Sequence, residues 1–461
     1  MSRRKTLTLK ELIGYGLTEL PGTLNTILGA FLTMFYTDSI GMAAAAVGTM
    51  FFISRLFDGI SDLIAGSIVD NTRTKWGKAR PWLLWLSIPT GLAIAAIFWV
   101  PTKGSAVAQL AYAFITYNLF VTILYTMISV AKVALMPLMT QDGMERSILG
   151  TMTVLVGLGG ALLGCSITFP FIMSVGGNVM AWRIVFAVYG FIVAAGTLLA
   201  FFLLREHVTA AEPSAETAGK AATQKMPFKE GLSLFFRNRY FILSLAIYFL
   251  VQFSNQLNSS SQTYFYKYAM NNTMLTASMN LFNLVPMIAS LMLLATPMIQ
   301  KFGKKKTVLI GAALHVAGYI LRGFAASVGS VPMLAIGTIV CAVGTGPMAV
   351  PVQTLAADAV DYGEWKHGKR IEGMGSAVNT AGAKLATGLA GGCVGWILAL
   401  TGYVAEQAQT AAANTGIISL FAWIPGILVV GIIIIVTVFY HYDDEVDQVL
   451  ADLDARKAKN N

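Results

Sequence analysis

Charge is what this sequence has least of. Only 12% of its 461 residues are Asp, Glu, Lys or Arg, against about a quarter in ordinary soluble domains. Histidine occurs four times, at His207, His315, His367 and His441, with no ligand spacing. Cysteine occurs three times, at Cys165, Cys341 and Cys393, each in an apolar stretch. An odd, dispersed set of this kind forms neither a disulfide framework nor a zinc site. No nucleophile–base pair or metal cluster emerges, so an enzyme is not expected. Residues 1–13 are basic and mixed, without the short apolar core of a cleavable signal.

Apolar residues fill the place of the missing charge. The chain is 56% hydrophobic with a mean hydropathy of +0.67. That excludes a soluble domain, a disordered scaffold and a small secreted module. It fits repeated apolar runs of about 20 residues, the length a bilayer demands of a helix. The runs fall into two groups of six: 17–37, 43–69, 81–101, 107–138, 148–174 and 183–204, then 239–266, 275–300, 306–327, 332–357, 373–401 and 412–440. The expected fold is therefore all-α and multi-pass, with twelve transmembrane helices in two six-helix bundles. The bundles cover 1–204 and 239–441, joined by a polar linker at 205–238 and followed by a tail at 442–461.

The net charge of +9 reads as the positive-inside rule rather than as a nucleic-acid surface. Arg3, Arg4, Lys5 and Lys10 precede the first span; Arg73, Lys75, Lys78 and Arg80 follow the second. Lys304, Lys305 and Lys306 follow the eighth; Lys366, Lys369 and Arg370 follow the tenth. Alternate loops carry few cations, chiefly Lys103, Arg183 and Lys267. Both termini are expected on the cytoplasmic side of the inner membrane. The linker begins with small, polar residues suited to flexibility. It ends at Phe228 to Arg239, where Leu232, Phe235 and Phe236 beside Lys229, Arg237 and Arg239 suggest a surface helix. In the tail, Val446, Val449, Leu450 and Leu453 have helical spacing, as a small docked or solvated helix would. Corresponding basic turns at 70–80 and 301–306 hint at two duplicated halves.

Charged groups inside spans each cost about 2.5–3.5 kcal/mol on insertion scales, so they mark a pathway or a pair. The second span carries Arg55, Asp58, Ser61 and Asp62. Asp58 and Asp62 are four apart and share a helical face. Two such carboxylates repel unless a cation or proton is shared. They therefore read either as a Na⁺ or H⁺ site, or as acids neutralised by Arg55 and nearby lysines. Lys384 in the eleventh span and Lys132 in the fourth are counter-ions to these acids or contacts for an anionic solute. Lys132 also fits snorkelling to the interface. The seventh span presents Gln252, Asn255, Gln256, Asn258, Ser259, Ser260, Ser261 and Gln262, which suit either a polyol-binding cavity or interhelical packing. Gly157, Gly159, Gly160 and Gly164 in the fifth span suit close helix contact.

Four motifs carry a more specific signal: Phe35-Tyr-Thr-Asp38, Asp58-Gly-Ile-Ser-Asp62, Asp70-Asn-Thr-Arg-Thr-Lys-Trp-Gly-Lys-Ala-Arg-Pro-Trp82, and the run from Asp358 through Asp361-Tyr-Gly-Glu364 to Glu372-Gly. With them the chain resembles, over nearly its whole length, the glycoside–pentoside–hexuronide:cation symporters of the major facilitator superfamily. The resemblance implies two pseudo-symmetric bundles, alternating access, and solute uptake driven by Na⁺ or H⁺, with no other cofactor. It implies cation-site roles for Asp58, Asp62, Ser61 and Thr126, and a balancing role for Lys384. Where melibiose permease, one member, clamps its galactoside, this chain has Gly22 or Thr23, Ser129 and Val133, and the fifth-span arginine falls at Val154. Glu19 matches an acidic position found in many members and is a cavity candidate. Asp70, Arg73, Arg80, Glu145, Arg146, Asp361, Glu364 and Glu372 lie at helix ends, where a cytoplasmic salt-bridge gate would form and break.

The leading expectation is a cation-coupled symporter for a glycoside, with Lys132 and Lys384 favouring an anionic sugar such as a hexuronide. Glu19, Thr23, Ser129, Lys132, Asn255, Asn258 and Gln262 are the candidate cavity residues. The alternatives are a carrier of a lysolipid-like amphiphile and a solute sensor that does not transport.

Overall fold

The computed structural model describes residues 7–140, 142–207, 236–367 and 372–442, together with six residues between 445 and 452. The 208–235 segment, which holds most of the surface helix expected at Phe228 to Arg239, lies outside the described residues. So do the side chains of Asp70 and Glu372. By contacts the chain divides into two compact units. One is Met1–Thr223 with Val404–Gln407; the other is Gln224–Tyr403 with Ala408–Asn461.

Among the described residues the elements are helices, and the Thr74–Gly77 pair is an isolated bridge. Among the described residues ten helices are long and apolar enough to cross a bilayer, from Arg80–Phe98 to Ala411–Phe439. They correspond to the third to twelfth expected spans. The first span is broken into Leu9–Leu17 and Leu20–Met34. Thr18 and Glu19 fall at the break, and Pro21 lies in the first turn of the second piece, where its missing N–H is no loss. The second span is one 28-residue helix, Ala44–Asn71, whose Arg55, Asp58 and Asp62 lower its hydropathy. The tenth outruns its expected end: Val331–His367 has 37 residues. At 1.5 Å per residue it is about 55 Å long, well beyond a hydrocarbon core of ~30 Å. Asp358, Asp361 and Glu364 thus ride on its final turns. The turn between eighth and ninth spans is made by Gly303, whose φ of 77° interrupts Ala295–Val328 in a region glycine enters freely.

Span starts satisfy their orphan N–H groups locally. Ser105 Oγ accepts from Ala108 N at 3.3 Å, Asn178 Oδ1 from Ala181 N at 2.9 Å, and Thr410 Oγ1 from Ala413 N at 3.2 Å. Apolar side chains such as Val107 (78% exposed) and Phe191 (74% exposed) point outward, which suits hydrocarbon rather than water. Within the first unit Phe98 stacks on Phe186 at 3.7 Å and packs against Phe35 at 4.7 Å. In the second, Tyr240 meets Tyr362 and Tyr442 at 4.7 and 5.3 Å. Val449 of the tail is buried in that cluster, and Trp365 donates to Asp452 at 2.8 Å. The tail therefore docks on its own unit.

A duplication absent from the sequence reading appears at the ends of the first and seventh spans. Each closes in a π-turn, Phe35–Ser39 and Phe265–Ala269. Each opens with a buried Phe-Tyr pair whose rings are 5.7 Å apart. Ile40 N and Met42 N donate to Phe35 and Tyr36 carbonyls at 3.1 and 2.9 Å; Met270 N and Asn272 N donate to Phe265 and Tyr266 carbonyls at 3.0 and 2.8 Å. The same hydrogen-bond pattern recurs at the same place in each half, as repeated transporter halves show.

Small residues set the closest helix approaches. A β-carbon at Gly190 would lie 2.5 Å from the Gly91 carbonyl oxygen, and one at Gly91 would lie 2.6 Å from that of Gly190. Between the ninth and tenth spans, a β-carbon at Gly311 would lie 2.6 Å from Met348 N. Gly190→Leu is therefore expected to lower the melting temperature of detergent-purified protein, with an overpacking cost of about 1–3 kcal/mol. Gly66→Ala, which meets nothing within 4 Å, is the control and should melt like the parent.

The entry to the first span holds a second testable element. Thr8 and Glu11 form a reciprocal capping box, and His207 also bonds the Glu11 carboxylate. Burial pushes the Glu11 carboxyl up. The Thr8 backbone N–H, His207 and the Thr8 hydroxyl outweigh it and hold the group below its ordinary 4.5. A carboxyl held low contributes stability above its ordinary value and loses it as pH falls through the lowered one. The melting-temperature advantage of the parent over Glu11→Gln should be full at pH 6 and shrink below about pH 4.5. An advantage unchanged at pH 3 would contradict this.

Candidate functional site

The charged stretch of the second span is organised around Asp58, which is 4% exposed. Arg55 Nη1 donates to Asp58 Oδ2 at 3.0 Å, and Thr122 Oγ1 lies 2.7 Å from Asp58 Oδ1. The Thr122 hydroxyl also has Asn118 Oδ1 at 3.0 Å as a second acceptor for its one proton, and Asn118 Nδ2 donates to Ser54 Oγ at 2.8 Å. One acid, one cation and a short hydroxyl–amide relay thus join the second and fourth spans. Asp62 is half-buried one turn further on. Ser61, expected at the cation site, turns its hydroxyl back to the Asp58 carbonyl at 2.9 Å. Thr126 likewise donates to the Val121 carbonyl at 3.2 Å. The hydroxyl on Asp58 therefore comes from Thr122, which the sequence reading did not single out. The cause is the π-turn Leu119–Tyr125 in the fourth span. One extra residue in a turn rotates everything after it by about 100° relative to what precedes it.

Glu19 and Lys132 form a second charged pair, each side chain about one-sixth exposed (16% and 15%). Glu19 sits where the first span breaks. Gly22 and Gly157 leave it room: β-carbons there would lie 2.7 Å from its Oε1 and 3.3 Å from its Cγ. Tyr15 OH donates to the Lys132 carbonyl at 3.3 Å. Tyr125, hydrogen-bonded to Ser129, lies within the electrostatic reach of Glu19, Arg55 and Asp62. Thr23 Oγ1 donates at 3.3 Å to the Val156 carbonyl, in the π-turn Leu155–Gly159 of the fifth span. Of the fifth-span glycines, Gly157, Gly160 and Gly164 admit close contact, a β-carbon at Gly160 falling 3.0 Å from Thr23 Cγ2, whereas Gly159 meets nothing within 4 Å.

In the second unit the seventh span spends part of its polar run on packing. Asn258 Nδ2 donates to the Phe421 carbonyl at 2.8 Å, and Ser254 Oγ to that of Pro425 at 3.3 Å. Gln262 is buried, whereas Asn255 is exposed. Arg322 of the ninth span, unnoticed in the sequence, is 4% exposed. Its Nε donates to Thr338 Oγ1 at 3.3 Å, its Nη1 to Asn258 Oδ1 at 3.4 Å, and its plane lies 4.9 Å from the Phe421 ring. Its neutral partners bind the seventh, ninth, tenth and twelfth spans together. Lys384 is half-buried on the eleventh span.

Of the residues expected to gate the cytoplasmic side, Arg80, Glu145 and Arg146 bond partners within the first unit. Arg80 Nε donates to the Phe201 carbonyl at 2.8 Å and its guanidinium covers the Phe201 ring at 4.4 Å. Glu206 accepts from the backbone N–H groups of Lys78, Ala79 and Arg80 at 2.9–3.1 Å, capping the third span. Gly77 permits this, with φ 110° and a would-be β-carbon 2.3 Å from that carboxylate. Glu145 accepts from Leu7 N at 3.0 Å, and Arg146 Nε donates to the Thr140 carbonyl at 3.0 Å. Lys304 donates to both Asp358 oxygens at 2.6 and 2.8 Å. Arg73 is exposed, and Asp361 and Glu364 are half-buried; Asp70 and Glu372 have side chains outside the described residues.

The Asp58 geometry separates two neighbouring threonines. Thr122→Val removes a hydrogen bond to a buried carboxylate and should cost about 1.5–3 kcal/mol in thermal or denaturant unfolding. Thr126→Val removes only a bond to a carbonyl of its own helix and should cost less. Equal losses would show that Asp58 does not depend on Thr122.

Comparison with known proteins agrees with this architecture. The model of the family described as "MFS/sugar transport protein" matches residues 14–444. The isoprimeverose transporter of Lactiplantibacillus pentosus is 30% identical over 453 residues, covering 98% of this chain and 92% of that protein. The glucuronide carrier protein homolog of Escherichia coli (strain K12) is 31% identical over 465 residues, covering 98% and 96%. Among solved structures, a D-xylose-proton symporter superposes with a TM-score of 0.65 at 16% identity, over 92% of this chain and 96% of that one; at that identity it speaks for the fold alone. The chain belongs to the MFS/sugar transport protein family, in the glycoside–pentoside–hexuronide symporter branch its motifs resemble, and is a multi-pass membrane transporter rather than an enzyme.

Proposed function

We propose that this protein is a cation-coupled symporter that moves a glycoside or hexuronide-like sugar across the cytoplasmic membrane by alternating access, with both termini cytoplasmic. The observation that carries the reading is the buried Asp58 carboxylate, held by Arg55 and Thr122, with Asp62 four residues along the same helix. A carboxylate whose partner is a movable side chain can exchange that partner for Na⁺ or H⁺. Binding the ion there removes the repulsion between the two acids. If ion and sugar each favour the same conformation, each raises the affinity of the other, which is what coupling means. The names of the relatives support a sugar as the solute, one of them a glucuronide carrier homolog.

The Lys304–Asp358 pair and the Arg80–Phe201 contact fit parts of a gate. Such contacts at span ends would hold one conformation and set rates without choosing the solute.

Proteoliposomes loaded with a Na⁺ or a proton gradient test the coupling. The parent should accumulate a nitrophenyl glycoside against its gradient with one of the two ions. Asp58→Asn should lose that accumulation by about 5–150-fold, the range of ordinary coupling energies, while still exchanging solute at equilibrium. Gradient-driven accumulation by Asp58→Asn equal to the parent's would overturn the assignment.

A further inference from the structure

The Glu19–Lys132 pair offers a second coupling chemistry, distinct from the Asp58 site. Lys132, which the sequence reads as a counter-ion, an anion contact or a snorkelling lysine, has its ammonium already neutralised by Glu19. The pair is not sealed: both side chains keep about one-sixth of their surface exposed (15% and 16%). Gly22 and Gly157 leave the Glu19 side chain room to lie against their backbone, at the break in the first span. Lys132 lies seven residues before the end of Thr126–Met139, about 10 Å along the helix, with Ser129 and Tyr125 beside it.

We propose that Glu19 and Lys132 form a proton–anion exchange site, at which the carboxylate of an anionic sugar displaces Glu19 from Lys132 and Glu19 takes up a proton. The inference rests on the sugar-symport reading and names the solute class. Charge decides it. Before binding, one carboxylate and one ammonium sum to zero. If an anion entered with Glu19 still ionised, the site would hold a net negative charge within the membrane, which is costly. A proton from water on Glu19 restores neutrality: the new ion pair is solute carboxylate with Lys132, and the released Glu19 is a neutral acid. One proton therefore enters with each anion, and no bond in the sugar changes. The other titratable groups facing Glu19 are Tyr15 and Tyr125. Arg55 and Asp62 lie beyond Tyr125. Both phenols are neutral near pH 7 and leave the exchange to Glu19.

The test uses the full chain in detergent with p-nitrophenyl-β-D-glucuronide and its neutral counterpart, p-nitrophenyl-β-D-glucoside. Binding is measured by calorimetry in buffers of different ionisation enthalpy, which counts protons taken up. The parent should take up about one proton per glucuronide near pH 7.5 and none with the glucoside, since only the anion needs its charge balanced. Glu19→Gln mimics the protonated state. It should bind the glucuronide without proton uptake and about 5–150-fold more tightly at pH 8. Lys132→Gln should lose the glucuronide while keeping any glucoside binding. Glucuronide binding by the parent without proton uptake would overturn the exchange, and that measurement needs no variant. Undiminished proton uptake in Glu19→Gln would do the same. Binding of the glucoside alone would overturn the inference and leave sugar transport standing. Binding of neither sugar would overturn both.

Discussion

A charge placed in hydrocarbon has to find its counter-charge or hydrogen-bond partners within the protein, because no water stands by to replace them. The rest of this structure follows that constraint. Asp58 has Arg55 and Thr122, and Glu19 has Lys132. Arg322 shows the other solution, a buried guanidinium spread over an amide, a hydroxyl and two aromatic faces. Each arrangement joins different spans or turns of one span, so the residues that carry charge also fix helix positions. A transporter needs this economy. The same acid that stabilises one conformation can, by changing partner, favour another.

The backbone obeys the same rule. Several helices depart from regular geometry by a π-turn that keeps its groups bonded, as at Phe35–Ser39, Leu119–Tyr125 and Leu155–Gly159. These turns also free carbonyls and re-aim side chains. The Val121 and Val156 carbonyls take the hydroxyls of Thr126 and Thr23. Outside the spans, Glu206 performs the corresponding service for the backbone at 78–80. The long basic motif after the second span thus has a local structural job: a positive-φ glycine and a helix start built to receive a carboxylate. Such a contact ties the end of the sixth span to the start of the third within one unit.

The pairing of Glu19 with Lys132 changes how the chain's electrostatics should be understood. Counted along the sequence, the fourth-span lysine is a cation without a fixed partner: a counter-ion to the second-span acids, a contact for an anionic solute, or a residue snorkelling to the interface. Counted in the structure, it belongs to a neutral pair that an anion must enter by substitution. The distinction matters because a free cation would bind any anion without a proton, whereas a paired one makes binding depend on the fate of the displaced acid. The seventh span changes in the same way. Asn258 is a packing and Arg322-orienting residue, while Asn255 stays exposed.

What the sequence determined by itself is what depends on near neighbours. Hydropathy located the third to twelfth spans, the Gly303 turn fell in its basic loop, and the spacing of Asp58 and Asp62 put both on one face. The motifs sufficed for the family, because long runs such as that from Asp70 to Trp82 are distinctive as strings. The tertiary structure decided what depends on distant partners or on helix phase. Lys132 finds Glu19 from 113 residues away, and no periodicity announces it. Thr122 replaces Thr126 beside Asp58 because a π-turn shifts the register between them, and such a turn leaves no mark in a hydropathy pattern. The tenth span outran its hydropathy because helix formation continues past the membrane wherever polar residues keep helical spacing. Local chemistry set which segments lie in the bilayer; only packing set which charges meet there.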